Sequence, residues 1–161
     1  MRDCLRSSSV APRRVLDFGC GTESHALLFF GLRCAERIVG TDESPKMLAI
    51  AGQIHGSRYT ESRSVDLCPA RGQIDLVCCN RVFHHIIVLA ERARTVDYIY
   101  RSLRAGGLFA FWENSPWNPG TRYVMSRIPF DRDAILLSPP RARGLLRAGG
   151  VEVLRLDFLI I

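Results

Sequence analysis

Short apolar runs alternate with helical patterns along this 161-residue chain, and that alternation limits its fold more than any other feature. Arg13 to Phe18 reads as a strand that stops at Gly19-Cys20-Gly21, and Glu23 to Gly31 carries Ala26, Leu27, Phe29 and Phe30 at helical spacing. Arg37 to Thr41 gives a second strand. Ser44-Pro45 opens a helix to about Ile54, with a capping oxygen and a proline where no amide bond is lost. Tyr59 to Val65 is a polar strand that suits a sheet edge, and Ile74 to Cys79 is an apolar strand broken only by Asp75. A helix over Val88 to Leu103 ends before Gly106-Gly107, and a fifth strand follows at Leu108 to Trp112. Residues 113–138 form a long segment rich in proline and asparagine. A helix near Pro140 to Ala148 and a sixth strand at Val151 to Phe158 close the chain. Such an order calls for a parallel sheet with helices on both faces and right-handed crossovers.

One domain accounts for residues 1–161, with 1–12 a short N-terminal tail, because this length buries a single core. Hydrophobic residues make up 47% and charged residues 24%, which excludes a disordered chain. The first ten residues lack the apolar run of a signal peptide, and Arg155 and Asp157 interrupt the apolar C-terminal segment. A cytoplasmic protein without membrane contact is expected. The six cysteines show no C-x-x-C pair and no metal-ligand spacing, so reduced, buried thiols are expected and no metal. A net charge of +6 raises nucleic acid as a partner. The arginines are scattered among acids, however, as in Glu91-Arg92-Ala93-Arg94, which describes solvated helix faces.

In a sheet of this kind ligands bind beyond the carboxyl ends of the strands. Val15-Leu16-Asp17-Phe18-Gly19-Cys20-Gly21-Thr22 puts two glycines between strand and helix, where backbone can approach a ligand that a Cβ would exclude. Taken alone, the pair is also what a simple tight turn would use. Asp42, at the end of the second strand, adds an acid able to accept from both ribose hydroxyls, although it could instead cap the next helix. Together they favour an adenosine-containing ligand. A nicotinamide dinucleotide site would continue to a third glycine, where Ser24 stands here, and Asp17 would repel a pyrophosphate while suiting an ammonium group.

These residues resemble the class I methyltransferases that use S-adenosylmethionine (SAM), within them the small-molecule group similar to the ubiquinone and menaquinone C-methyltransferases. The likeness runs from about Arg13 to the end of the chain. Val15 to Thr22 looks like the family's first motif and Val39 to Leu48 like its second; Val65-Asp66-Leu67 is similar to the adenine-contacting site. Ile74 to Val77 followed by Asn80-Arg81-Val82-Phe83-His84-His85-Ile86 resembles the motif on the methyl-transfer side, and Leu103 to Leu108 the turn into strand five. The resemblance implies a Rossmann-like doubly wound α/β sheet of order 3-2-1-4-5 with a final antiparallel hairpin. It implies SAM held by Asp17, Gly19, Cys20, Gly21, Asp42, Glu43, Met47, Asp66, Leu67, Asn80 and Arg81.

SAM carries an activated methyl group, so alignment and water exclusion dominate, and a base is needed only if the acceptor must lose a proton. His85 is the candidate base. His84, Glu113, Asn118 and Arg122 are the candidate contacts to a small-molecule acceptor, on loops that commonly shape pockets at this face. Two departures stand out. Glu23 replaces a family glycine, and the chain stops where the family continues into a seventh strand. A truncated or degenerate relative with little catalysis, and a nicotinamide-dependent oxidoreductase, are therefore the competing readings.

Overall fold

A computed structural model describes residues 12–22, 35–55, 59–62, 71–131 and 133–158. The expected first helix, with Glu23 and Ser24, and the Asp66-Leu67 site lie outside these residues. The chain divides into two compact units, one of residues 1–80 with 101–111 and the other of residues 81–100 with 112–161.

The first unit holds the sheet. Strands β1 (Arg14–Phe18), β2 (Arg37–Thr41), β3 (Tyr59–Ser62), β4 (Ile74–Asn80) and β5 (Leu103–Trp112) take the order β3-β2-β1-β4-β5, as the resemblance implied. The pairs β1·β2, β1·β4 and β2·β3 are parallel, with Val15 opposite Ile38 on one side and Leu76 on the other. Central parallel strands are covered on both faces and so read as unbroken apolar runs. That accounts for Val15, Leu16, Leu76, Val77, Cys78 and Cys79, all at most 2% exposed. Helix α1 (Pro45–His55) adds Leu48 and Ala51 to this core, and Leu108 and Ala110 of β5 pack against it. At the strands' other end Asp75 accepts from the amides of Arg13 and Arg14 at 2.9 and 2.8 Å and pairs with Arg104. Burial works against its charge, but these donors outweigh burial and hold the carboxyl below its ordinary value.

The second unit contains most of helix α2 (Leu89–Ser102), together with α3 (Pro119–Met125), a 3-10 turn at Pro129–Asp131 and α4 (Pro139–Ala148). Val96 and Ile99 of α2 are fully buried, and the C-cap of α4 lies against Val96: a Cβ on Gly149 would sit 2.2 Å from Val96 Cγ1.

Three expectations are corrected. No strand forms over Val151 to Phe158. Instead the Val151 amide closes α4 by donating to Leu146, Leu154 stays 73% exposed, and the Phe158 ring stacks on Trp117. Strand β5 begins at Leu103, five residues early, taking Gly106-Gly107 inside it. A Cβ on Gly107 would press on the carbonyl of Ile74 at 3.0 Å, so Gly107 serves a close strand approach, while Gly106 supplies a positive φ of 73°. The 113–138 segment contains α3, for which Asn118 is the cap and Pro119 the first residue.

Candidate functional site

Glycine at φ 68° and 58° lets residues 19 and 21 take the left-handed conformation in the tight turn after β1. The amides of Gly19 and Cys20 both donate to the carbonyl of Thr41, at 2.8 and 3.0 Å, so the turn after β1 is tied to the end of β2. One residue on, the Gly21 amide donates to Asp42 Oδ2 at 2.9 Å, and Asp42 Oδ1 accepts from the Ser44 amide at 2.9 Å. The turn and the acid that the sequence sets together are in direct contact. A carboxylate has about four acceptor positions, so these two bonds leave capacity for hydroxyl donors. Among the described residues nothing lies within 4 Å of a Cβ built on Gly21.

Of the other predicted cofactor residues, Asp17, Cys20, Glu43, Met47 and Asn80 lie in the same unit, and Arg81 opens the second. Asp17 is only 1% exposed, and its charge adds to burial, the larger cause, in pushing the Cys78 thiol well up. Cys20 is buried, while Glu43 and Met47 are exposed around the start of α1. The hydroxyl of Thr41 is buried without a hydrogen-bond partner among the described residues, a signal that sequence reasoning missed. Asn80 ends β4, half-buried. Arg81 follows at φ 55°, a conformation that costs a non-glycine residue on the order of 1 kcal/mol and clusters at functional positions.

The second unit holds the predicted acceptor side. Glu113 is buried: Oε1 accepts from the Phe83 amide at 2.8 Å and Oε2 lies 2.8 Å from His84 Nδ1. His84 is 2% exposed, and its carbonyl accepts from Ile135 at 2.9 Å. Asp131, which sequence reasoning did not single out, sits 3.7 Å from the Nε2 atoms of both His84 and His85. With 45 residues between Asp131 and His85 and no regular spacing, only the fold could show that grouping. The His85 side chain is one-third exposed. Burial first, then the neighbouring His84, lower its pKa, and Asp131 and Glu113 oppose that. Asn118 caps α3, accepting from Gly120 at 2.9 Å and Thr121 at 3.3 Å, and Arg122 is exposed on that helix.

A parallel β3-β2-β1-β4 arrangement with an acid clasped to a glycine turn defines a nucleotide-binding α/β domain. The Methyltransferase domain family matches residues 16–111, more than half of the sequence, and the chain belongs to that family. Demethylmenaquinone methyltransferase of Thermus thermophilus is 30% identical over 127 residues, which are 76% of this chain and 56% of that relative. The chain thus spans little more than half the length of that relative. Among solved structures, a SAM-dependent methyltransferase from Thermotoga maritima, described as a possible histamine N-methyltransferase, is 20% identical with a TM-score of 0.67 over 94% of this chain and 69% of its own. A SAM-dependent methyltransferase from Mesorhizobium loti is 19% identical with a TM-score of 0.63 over 92% and 79%. At these identities the two structures show the fold. Membership in a methyltransferase family leaves the nicotinamide reading without support. No helix among the described residues is long and apolar enough to cross a membrane.

Proposed function

We propose that this chain binds SAM at the β1–β2 end of its sheet and transfers the methyl group to a small-molecule acceptor by in-line displacement. The observation that carries this reading is the Asp42 carboxylate held 2.9 Å from the Gly21 amide at the turn after β1. The residues fit the group. Asp42 keeps acceptor capacity for ribose hydroxyls, and the hydroxyl of Thr41, next in sequence, has no hydrogen-bond partner among the described residues. Gly19, Cys20 and Gly21 present backbone, Asp17 suits an ammonium group, and Glu43 and Met47 flank the ribose end. Asp66 and Leu67 take the adenine contact by family resemblance, and Asn80 and Arg81 continue the cofactor side.

Bound SAM supplies a methyl group already activated by the adjoining positive sulfur, so the protein's work is orientation and water exclusion. His85, part-exposed, is the base for an acceptor that must lose a proton. His84, Glu113, Asn118 and Arg122 are assigned to the acceptor side, Glu113 acting through His84. The name of the Thermus relative supports a small acceptor over nucleic acid. A cytoplasmic setting belongs to this reading and suits the buried cysteines Cys20, Cys78 and Cys79.

Calorimetric titration of the purified chain with SAM and with NAD tests the proposal. Saturable SAM binding that weakens in Asp42→Ala, with no NAD binding, supports it. Absent SAM binding by a folded chain leaves a degenerate relative.

A further inference from the structure

We propose that His84, His85 and Asp131 form a binding site for a divalent first-row transition ion of the zinc class. One ligand atom from each residue lies within 4.8 Å of the other two, an arrangement of two imidazoles and one carboxylate. Asp131 Oδ1 is 3.7 Å from Nε2 of each histidine. A tetrahedral ion with bonds of about 2.0–2.1 Å needs its ligand atoms about 3.3 Å apart; the two Asp131 separations close with shifts of a few tenths of an ångström, and the two imidazoles, within 4.8 Å, close by a turn of the part-exposed His85 ring.

Proximity alone would describe a hydrogen-bonded cluster; the surroundings of His84 argue for more. Its Nδ1 lies 2.8 Å from the buried carboxylate of Glu113, whose other oxygen is fixed by the Phe83 amide. With Nδ1–H donating to that carboxylate, Nε2 is left with its lone pair on the side where Asp131 and His85 converge. A carboxylate behind a histidine, fixing its tautomer and raising its basicity, is the usual outer support of a metal-bound imidazole. Here that support is built on residues only 3% and 5% exposed at their side chains. The two imidazole rings are held together, centroids 4.0 Å apart. Imidazole with carboxylate selects zinc, copper, iron or nickel over magnesium and calcium, which prefer oxygen sets. The part-exposed His85 opens the cluster to solvent, so a fourth position is available to water or to an oxygen ligand.

The inference does not depend on the SAM reading, since all its residues belong to the second unit. The two readings meet at one atom. An ion bound to Nε2 of His85 occupies the lone pair that a general base would use, so zinc would inhibit any transfer that relies on that base.

The test is calorimetric titration of the metal-stripped full chain with zinc, and separately with magnesium, followed by cobalt substitution and visible spectroscopy. One zinc ion per chain, no magnesium binding and a cobalt spectrum without thiolate charge transfer are expected. Glu113→Gln should weaken zinc about ten- to hundredfold, and His85→Asn and Asp131→Asn by more. Circular dichroism checks that each variant is folded, and the part-exposed His85 keeps the test independent of buried His84. No zinc binding by the folded parent overturns the proposal. So does binding that survives both His85→Asn and Asp131→Asn, or a thiolate band in the cobalt spectrum, which would place the ion on cysteines. SAM titration of the same samples is scored separately, so failure of one site leaves the other standing.

Discussion

The amide of Gly21 donates to Oδ2 of Asp42 at 2.9 Å, so one carboxylate both locks the turn after β1 and stands at the proposed ribose position. Asp42→Ala loses a charged hydrogen-bond acceptor worth about 1.5–3 kcal/mol. SAM affinity should fall by about ten- to a hundredfold, measured by calorimetry. Asp42→Asn, which can still accept from the Gly21 amide, should recover stability while regaining little affinity. Equal SAM binding by the parent and the alanine variant would remove the site assignment.

Glu113 satisfies two groups at once, the Phe83 amide and His84 Nδ1. Glu113→Ala strands both in a buried setting and should destabilise the chain by on the order of 3 kcal/mol, read from urea unfolding. Glu113→Gln keeps one acceptor and should cost markedly less. A near-neutral alanine variant would mean that water reaches both groups.

Gly149 has ordinary φ, so the obstacle to a side chain there is space, not backbone: the added Cβ would stand 2.2 Å from Val96 Cγ1. Gly149→Ala should cost about 1–3 kcal/mol through overpacking. In a cycle with Val96→Ala the double variant should be more stable than the sum of the two single losses predicts. Additive losses would show that α4 moves away without strain.

The carboxyl of Asp75 is held below its ordinary value of 3.8 by Arg104 and the amides of Arg13 and Arg14, against burial. A depressed folded-state pKa stabilises above the unfolded pKa, and that contribution is lost as pH falls through the folded value. Asp75→Asn should therefore be less stable than the parent at neutral pH. The difference should narrow as pH drops below 3.8 toward the folded pKa, followed by thermal melts across an acid series.

If His85 is the base, His85→Gln should lower kcat by about 10²–10⁴ for an acceptor that must lose a proton. SAM affinity should stay within twofold of the parent, by about the scatter expected of distant sites. Unchanged kcat would reassign the proton to solvent.

Strands β1, β2 and β4 and helix α1 were legible because continuous apolar runs and the Ser44-Pro45 start are local signals. The Asp42–Gly21 pairing was legible through its flanking motifs, although its directness was not. Helix α3 carried a readable signature in Asn118-Pro119, masked by the surrounding proline and asparagine. Val151 to Phe158 has strand composition, but composition does not register that its first amide is taken by the C-cap of α4 and its Phe158 ring by Trp117. Asp131 was silent because its meaning comes entirely from two histidines more than 45 residues earlier.

Strand β1 sits between β2 and β4, and Val15 finds its second partner, Leu76, only 61 positions later. On a ribosome adding about 5–20 residues per second, the apolar flank of that strand emerges seconds before anything can cover it. Synthesis order thus gives this domain a brief, unavoidable interval of stickiness, and chaperone dependence during translation is the trait it should show.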